Sequence, residues 1–304
     1  MCMCKTSHKY KLSPVVIREN EKGTILVLVL WVIALLTMVA GYFSVETRLR
    51  GNMGHGTWNL LKSKLEIESV LNLAAVYMAP LEQDSDTDDP DHFLLADGST
   101  YKVFINGRDL EFTIEDERGK IDLNKVSEET LATVLDGLLG AQDENIASNL
   151  TDAILDWRDN DDDKRPHGAE KEYYQALSPS YEPSNSKFMY LEQLLLVKDM
   201  KPNIYWGPIK WQNVQEKEES PAWKGGLQDI FTVYNQGGNV IKAAAPEPLL
   251  KILDEKDLSD KGGKGTIRLK ACLYQGCYQV FWDPVKDQNK LFKLVHWQQI
   301  PRFD

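Results

Sequence analysis

Thr24–Phe43 reads TILVLVLWVIALLTMVAGYF, twenty consecutive residues without a charge. A helix rises about 1.5 Å per residue, so roughly twenty apolar residues cover the hydrocarbon core of a bilayer. A surface helix of a soluble protein keeps polar residues on one side, whereas this stretch is apolar all round. Lys5, Lys9, Lys11, Arg18 and Lys22 precede it. By the positive-inside rule they hold the N-terminus in the cytoplasm, so residues 45–304 are displayed on the far side, in the periplasm or outside the cell. A cleaved secretory signal has a shorter apolar region, roughly 7–15 residues, followed by a small-x-small site. Nothing after Phe43 has that pattern.

Outward from this anchor, 27% charged residues in a 304-residue chain argue for a single span and a soluble body large enough for one or two cores. The formal charge of −11 disfavours nucleic acid, which demands a concentrated basic surface. Cys2 and Cys4 fall in the leader and read as incidental. Cys272 and Cys277 fall in the exported body, where an oxidising compartment permits a disulfide; their C-x4-C spacing is not that of a redox-active C-x-x-C.

Helical periodicity continues beyond the membrane through Asn59–Ala79, with Leu61, Leu65, Val70, Leu73 and Val76 as the expected apolar face. Gly51, Gly54 and Gly56 are expected to bend or loosen this rod. The acidic stretch Glu82–Asp91, with its Pro90, reads as a solvent loop. TYKVFING and DLEFTIED then alternate apolar and polar residues around Asn106-Gly107, a hairpin signal. From Gly119 the period becomes helical again, predicting amphipathic helices in LNKVSEETLATVLDGLL, NIASNLTDAILDWRD and MYLEQLLLVKDM, with Ser127 as an N-cap. Strands are expected to resume at DIFTVYN and to continue through TIRLKACLY, CYQVFW and KLFKLVHW. Gly119–Leu135 also aligns without gaps to Gly238–Asp254, matching Leu131 with Leu250 and Val134 with Leu253, which predicts two related modules of turn, short strand and helix.

The densest chemical signal is DNDDDKRPHGAE. Asp159, Asp161 and Asp163 occupy positions 1, 3 and 5 of a twelve-residue loop and Glu170 occupies position 12, the spacing by which an EF-hand gathers carboxylates on calcium. Position 6 is Lys164 rather than glycine, so the expectation is calcium in a loop of non-standard path. Without a cation the clustered carboxylates would repel one another. Signatures of hydrolases, zinc peptidases, P-loops and dinucleotide folds are absent from the sequence, and His8, His55, His92, His167 and His296 are scattered. IDLNKVSEETLATVLDGL is also similar to helix-hairpin-helix DNA-binding modules, but Gly137 and Gly140 are followed by Asp143 and Glu144 rather than by bases.

Taken together, the chain resembles the K-type minor pseudopilins of the type II (general) secretion pathway. The resemblance rests on Lys22-Gly23 before the hydrophobic helix, EDERGKIDLN (Glu115–Asn124), DAILDWRDNDD with GAEKEYY (Asp152–Tyr174), and FTVYNQGG with AAAPEPLL (Phe231–Leu250). It implies cleavage after Gly23 by prepilin peptidase and N-methylation of Thr24. Mature position five is then Leu28, where most pilin-like subunits carry a glutamate thought to pair with the N-terminal amine of the subunit above. A subunit lacking it suits the fibre tip, where no subunit lies above.

The implied fold is α+β: a long N-terminal hydrophobic helix and a pilin-like antiparallel sheet with an inserted all-helical subdomain, SAM-like or helix-hairpin-helix-like. The expected organisation is a leader over 1–23, the transmembrane and pilin-core helix over 24–80, and the first part of the sheet over 81–118. A calcium-binding helical insertion over 119–230 follows, then a second helical module with the remaining sheet over 231–304. The resemblance carries calcium ligation onto Asp159, Asp161 and Glu170, then Asp156 and Asp163, with Asn185 of PSNSKF contributing. It implies a non-enzymatic subunit of the inner membrane, with its body in the periplasm and later at the pseudopilus tip. Implied partners are the I- and J-type minor pseudopilins, the major pseudopilin, the inner-membrane assembly platform and prepilin peptidase, with no nucleic acid. The competing readings are a membrane-anchored DNA-binding protein and a signal-anchored calcium-binding domain.

Overall fold

The computed structural model describes residues 21–78, 94–140, 145–208, 225–235, 237–260, 265–273, 276–287 and 290–301. Most of the leader, the acidic stretch Glu82–Asp91, and Asp143 with Glu144 lie outside the described residues. The chain forms two compact units, one ending at Leu61 and one starting at Lys62.

Helix α1 spans Glu21–Tyr77. It is the one described helix long and apolar enough to cross a membrane, and its most hydrophobic window is fully exposed. Contrary to the sequence expectation, α1 runs unbroken through Gly51, Gly54 and Gly56. A glycine costs roughly 1 kcal/mol in a helix interior, and three spread among good helix formers slow propagation without stopping it.

In the second unit the end of α1 packs on a five-stranded antiparallel sheet ordered β1-β2-β7-β8-β9. The strands are β1 Asp97–Ile105, β2 Arg108–Asp116, β7 Ile267–Leu273, β8 Gly276–Asp287 and β9 Lys290–Ile300. Asn106 and Gly107 both take positive φ, 52° and 83°, and close the β1–β2 hairpin as a two-residue turn of the kind whose twist matches paired strands. The helix face that meets the sheet is Ile67, Val70, Leu71, Ala74, Ala75 and Met78, against Phe112, Ile114, Leu269, Val280 and Trp282. Of the expected face only Val70 is fully buried; Leu61, Leu65 and Val76 are exposed. Both sides of this segment are apolar, and the small Ala74 and Ala75 permit the closer approach.

The chain leaves the sheet after β2 and returns at β7, so the whole insertion lies between these adjacent strands. Its helices are α2 Glu128–Leu139, α3 Ile146–Arg158, α4 Lys171–Gln175, α5 Pro202–Trp206 and α6 Glu247–Ile252. Two-residue parallel ladders join β3 Ile121–Asp122 to β4 Phe231–Thr232, and β5 Val240–Ile241 to β6 Leu258–Ser259. The DIFTVYN stretch thus supplies β4 to the insertion rather than a strand to the main sheet. MYLEQLLLVKDM forms a 3-10 turn, Leu191–Leu196, instead of an amphipathic helix. The Gln193 side chain accepts from the backbone N–H groups of Met189 and Tyr190, and Asp199 takes φ 64°, so the segment is bounded at both ends.

The internal echo is structural. The ungapped alignment superposes β3 on β5 and the first residue of α2 on the first residue of α6. Ser127 Oγ accepts from Thr130 N at 3.1 Å, as a cap should. The second copy stops after six residues, and its core position is Leu249; Leu250, the aligned match of Leu131, is exposed.

Polar side chains join insertion and sheet. Arg268 of β7 is fully buried; its guanidinium meets Glu115, lies 3.1 Å from Glu117 Oε1 and donates to Gln228 O at 2.9 Å. Lys270 pairs with Asp229 at 2.5 Å and with Glu115 at 2.9 Å, while Lys120 pairs with Glu117 at 2.5 Å and Glu115 at 2.7 Å. Three cations thus face three carboxylates. Burial opposes the charged form of Glu115, yet Arg268 and then Lys270 hold its carboxyl below the usual range.

Candidate cation site in the insertion

The acidic loop begins where α3 ends. The apolar side of α3, including Leu150, Ile154 and Trp157, is buried in the core of the insertion. Its last residue, Arg158, donates to the carbonyls of Leu123 and Val126, which fixes the helix end against the β3–α2 connection. Asp159 caps α3 in extended conformation, and the loop returns at Glu170, immediately ahead of α4.

Asp156 folds this loop back on α3. Its buried carboxylate accepts from the Arg165 backbone N–H at 3.2 and 3.4 Å and faces the Arg165 guanidinium at 3.6 Å. Burial pushes its pKa up to about 6, opposed chiefly by the Arg165 backbone donor. Lys198 Nζ donates to the carbonyls of His167 at 2.8 Å and Gly168 at 3.2 Å, closing the other side.

Within the loop, Asp161 accepts from Asp163 N at 2.9 Å, and both carboxylates are exposed. Asn185 arrives from a distant segment in left-handed conformation, φ 40°. Its Nδ2 donates to Asp161 O and to Asp162 Oδ1, both at 3.1 Å. Asp162, skipped by the EF-hand spacing, is therefore tied to Asn185, whereas Asp163 contributes a backbone donor. Lys164 is not among the described residues with positive φ, so the chain avoids the glycine turn of an EF-hand.

In and beside the loop, four described buried oxygens have no hydrogen-bond donor: Asp159 Oδ1, both Glu170 carboxylate oxygens and Asn185 Oδ1. Leaving one acceptor buried and unpaired costs about 1–3 kcal/mol, and more when it is charged. Glu170 is only 1% exposed. Burial, followed by Asp156, Asp159, Asp162 and Asp161, pushes its pKa up to about 7. All four are oxygen acceptors, the ligand chemistry that suits a hard, oxygen-seeking cation such as calcium. Among the described residues no three His, Cys, Asp or Glu side chains form a preassembled metal cluster; the orphaned oxygens are those of two carboxylates and one amide.

The other residues singled out from sequence lie apart from this loop. Gly23, Thr24 and Leu28 are exposed in the first turns of α1. Cys272 and Cys277 face each other in the β7–β8 ladder and are disulfide-bonded. Gly137 and Gly140, candidates for phosphate contact, are taken up by packing. A Cβ on Gly137 would stand 2.9 Å from Ile252 Cδ1, and one on Gly140 would stand 2.5 Å from Asp136 Oδ1.

The family model for the type II secretion system (T2SS), protein K, matches residues 119–206, the segment holding α2, α3 and the acidic loop. The putative type II secretion system protein K of Escherichia coli (strain K12) is 25% identical over 209 residues, covering 62% of this chain and 60% of that protein. The type II secretion system protein K of Klebsiella pneumoniae is 26% identical over 205 residues, with the same coverage of 62% and 60%. The chain thus spans about 60% of the length of these curated relatives. In fold, it matches a chain of the crystal structure of the GspK-GspI-GspJ complex from the enterotoxigenic Escherichia coli type 2 secretion system. The TM-score is 0.52 at 12% identity, over 84% of this chain and 100% of the matched one. Domain match, relatives and shared α+β architecture agree in one likeness: residues 119–206 match the protein K domain of the type II secretion system, and the chain is similar to the K-type pseudopilins.

Proposed function

We propose that this chain is a non-catalytic structural subunit, a minor pseudopilin that caps the tip of a periplasmic pseudopilus and supports its assembly for export of folded proteins. The observation that carries the proposal is the course of α1. An uncharged, exposed stretch at Thr24–Phe43 continues without a break into the segment whose buried face packs on the sheet. One element therefore serves as inner-membrane anchor before assembly and as fibre-core helix after it. Leu28 lacks the carboxylate that would pair with a subunit above, and the bulky insertion between β2 and β7 suits an end position better than a repeated one.

On this reading prepilin peptidase cuts between Gly23 and Thr24, Thr24 is N-methylated, and the I- and J-type pseudopilins are the tip partners. The solved relative is a complex of those three types. The major pseudopilin and the assembly platform complete the set. Asp159, Glu170 and Asn185 hold calcium, with Asp161, Asp162 and Asp163 lining the loop and Asp156 shaping it. The ion supplies countercharge to the orphaned oxygens and fixes the loop. The DNA-binding alternative has little to draw on, because the glycines it needs are consumed by Ile252 and Asp136.

The test is the N-terminal sequence of protein recovered from membranes with and without active prepilin peptidase, followed by co-purification with I- and J-type subunits. A chain starting at Thr24 only with the peptidase, and eluting with both partners, is the expected result. An uncut leader in both strains would overturn it.

A further inference from the structure

Strand β9 is the last strand of the main sheet, and among the described residues no strand pairs with its outer edge. Strand β7 accompanies β8 only as far as the Ile267–Trp282 pair. Beyond it, Asp283–Asp287 and Lys290–Lys293 pair only with each other, with Asp283 opposite Lys293, Pro284 opposite Phe292 and Asp287 opposite Lys290. A two-stranded ribbon thus runs on past the sheet, and such ribbons are marginal in water without a third strand or a covering layer.

The ribbon's two edges differ. Pro284 has no N–H and blunts the β8 side. Strand β9 has no proline, and it exposes Leu291 at 48%, Leu294 at 49% and Val295 at 39%. Val295 has no opposite residue in the ladder, the register shift falling between Leu294 and His296. The segment KLFKLVHW itself carries two lysines and no carboxylate in a chain of net charge −11; Asp283 and Asp287 lie across the ladder on β8, and Lys293 is exposed on the edge strand. Further along, Tyr190 stacks on His296 with ring centroids 4.9 Å apart, so the accessible stretch is residues 290–295.

We propose that Lys290–Val295 is a strand-addition site for an extended, acidic segment of a partner protein, one that alternates apolar and carboxylate side chains. The backbone edge supplies main-chain hydrogen bonds, Leu291, Leu294 and Val295 receive the apolar residues, and Lys293 selects the carboxylates. The same lysine disfavours a second copy, because pairing β9 with itself brings like charges together. This site does not depend on the pseudopilin reading; failure of leader cleavage would leave it untouched.

The experiment titrates the full chain in lipid nanodiscs against fluorescein-labelled peptides of about ten residues, the length of a long strand, read by anisotropy. One peptide alternates valine and glutamate, a second is the same with every other amide N-methylated, and a third alternates valine and lysine. Expected are saturable binding of the first, none of the second, and about tenfold weaker binding of the first to Lys293→Glu, which instead gains the third. Equal binding of the N-methylated peptide, unchanged affinity in Lys293→Glu, or no saturation by millimolar peptide would each overturn the proposal. So would a dimer in sedimentation that Lys293→Glu dissolves, which would assign the edge to a second copy.

Discussion

Gly168 lies so close to Asp156 that a β-carbon on it would stand 1.9 Å from Asp156 Oδ2. The approach lets one buried carboxylate gather the returning loop, whose Arg165 N–H it accepts. Gly168→Ala is therefore expected to push the loop off Asp156 and destabilise the insertion by about 1–3 kcal/mol. It should also weaken calcium binding, since Glu170 follows two residues later. Thermal unfolding with calcium and with chelator checks both, and a variant matching the parent in each would refute the placement.

Glu170 makes stability depend on pH with a definite sign. Its carboxyl titrates near 7, raised by burial first and then by Asp156 and its neighbours, against roughly 4.3 in an unfolded chain. The folded state therefore holds the proton more tightly, and this contribution is fully present below about pH 4 and lost as pH rises through 7. In chelator the protein should lose stability between pH 5 and 8, and Asp156, raised to about 6, acts in the same direction. Glu170→Gln should flatten this dependence. Calcium should stabilise the parent far more at pH 8 than at pH 5, because it competes with that proton. Denaturation midpoints at both pH values, with and without calcium, provide the check.

What could be read from the sequence was whatever depends on local chemistry. Asn106-Gly107 specifies its turn because both residues tolerate positive φ, and Ser127 specifies a helix start because its hydroxyl reaches Thr130 N. The acidic loop was visible as a cluster of like charge. Its actual arrangement was not, because Asn185 approaches from 24 residues beyond Asp161 and selects Asp162, not Asp163, through a tertiary contact. The buried face of α1 differs from the expected one for a similar reason. Leu65 and Leu71 are equally apolar, and only the sheet decides that Leu71 is inside. Gly119 and Gly137 carry close approaches whose partners, Ala244 and Ile252, lie more than a hundred residues away along the chain.

Arg268 is the cation whose loss should be felt most widely. It is fully buried and faces Glu115, Glu117 and Asp229 at once. Removing one partner of a buried charge cluster costs about 3–5 kcal/mol, because the remaining charges are left without compensation. Arg268→Met should destabilise the full chain by that order in urea denaturation. Adding Glu115→Gln should recover part of the loss by removing the carboxylate that Arg268 and Lys270 hold ionised. If the double variant is no better than the single one, the network is not the source of the effect.

Gly119 and Gly137 offer a sharper test, because both are packed but against different material. A Cβ on Gly119 would stand 2.1 Å from the backbone oxygen of Ala244, the 3-10 turn that follows β5, and 2.4 Å from its carbonyl carbon. Backbone held by the β5–β6 ladder has nowhere to go, so Gly119→Ala should cost about 2–4 kcal/mol. A Cβ on Gly137 meets only the end of the Ile252 side chain, at 2.9 Å, and that side chain can rotate. Gly137 also sits inside α2, where alanine gains roughly 1 kcal/mol of helix propensity. Gly137→Ala should therefore stay within about 1 kcal/mol of the parent. Urea midpoints of the two variants in parallel decide the matter: equal losses would mean that helix packing, rather than the contact with Ala244, sets the tolerance of the insertion.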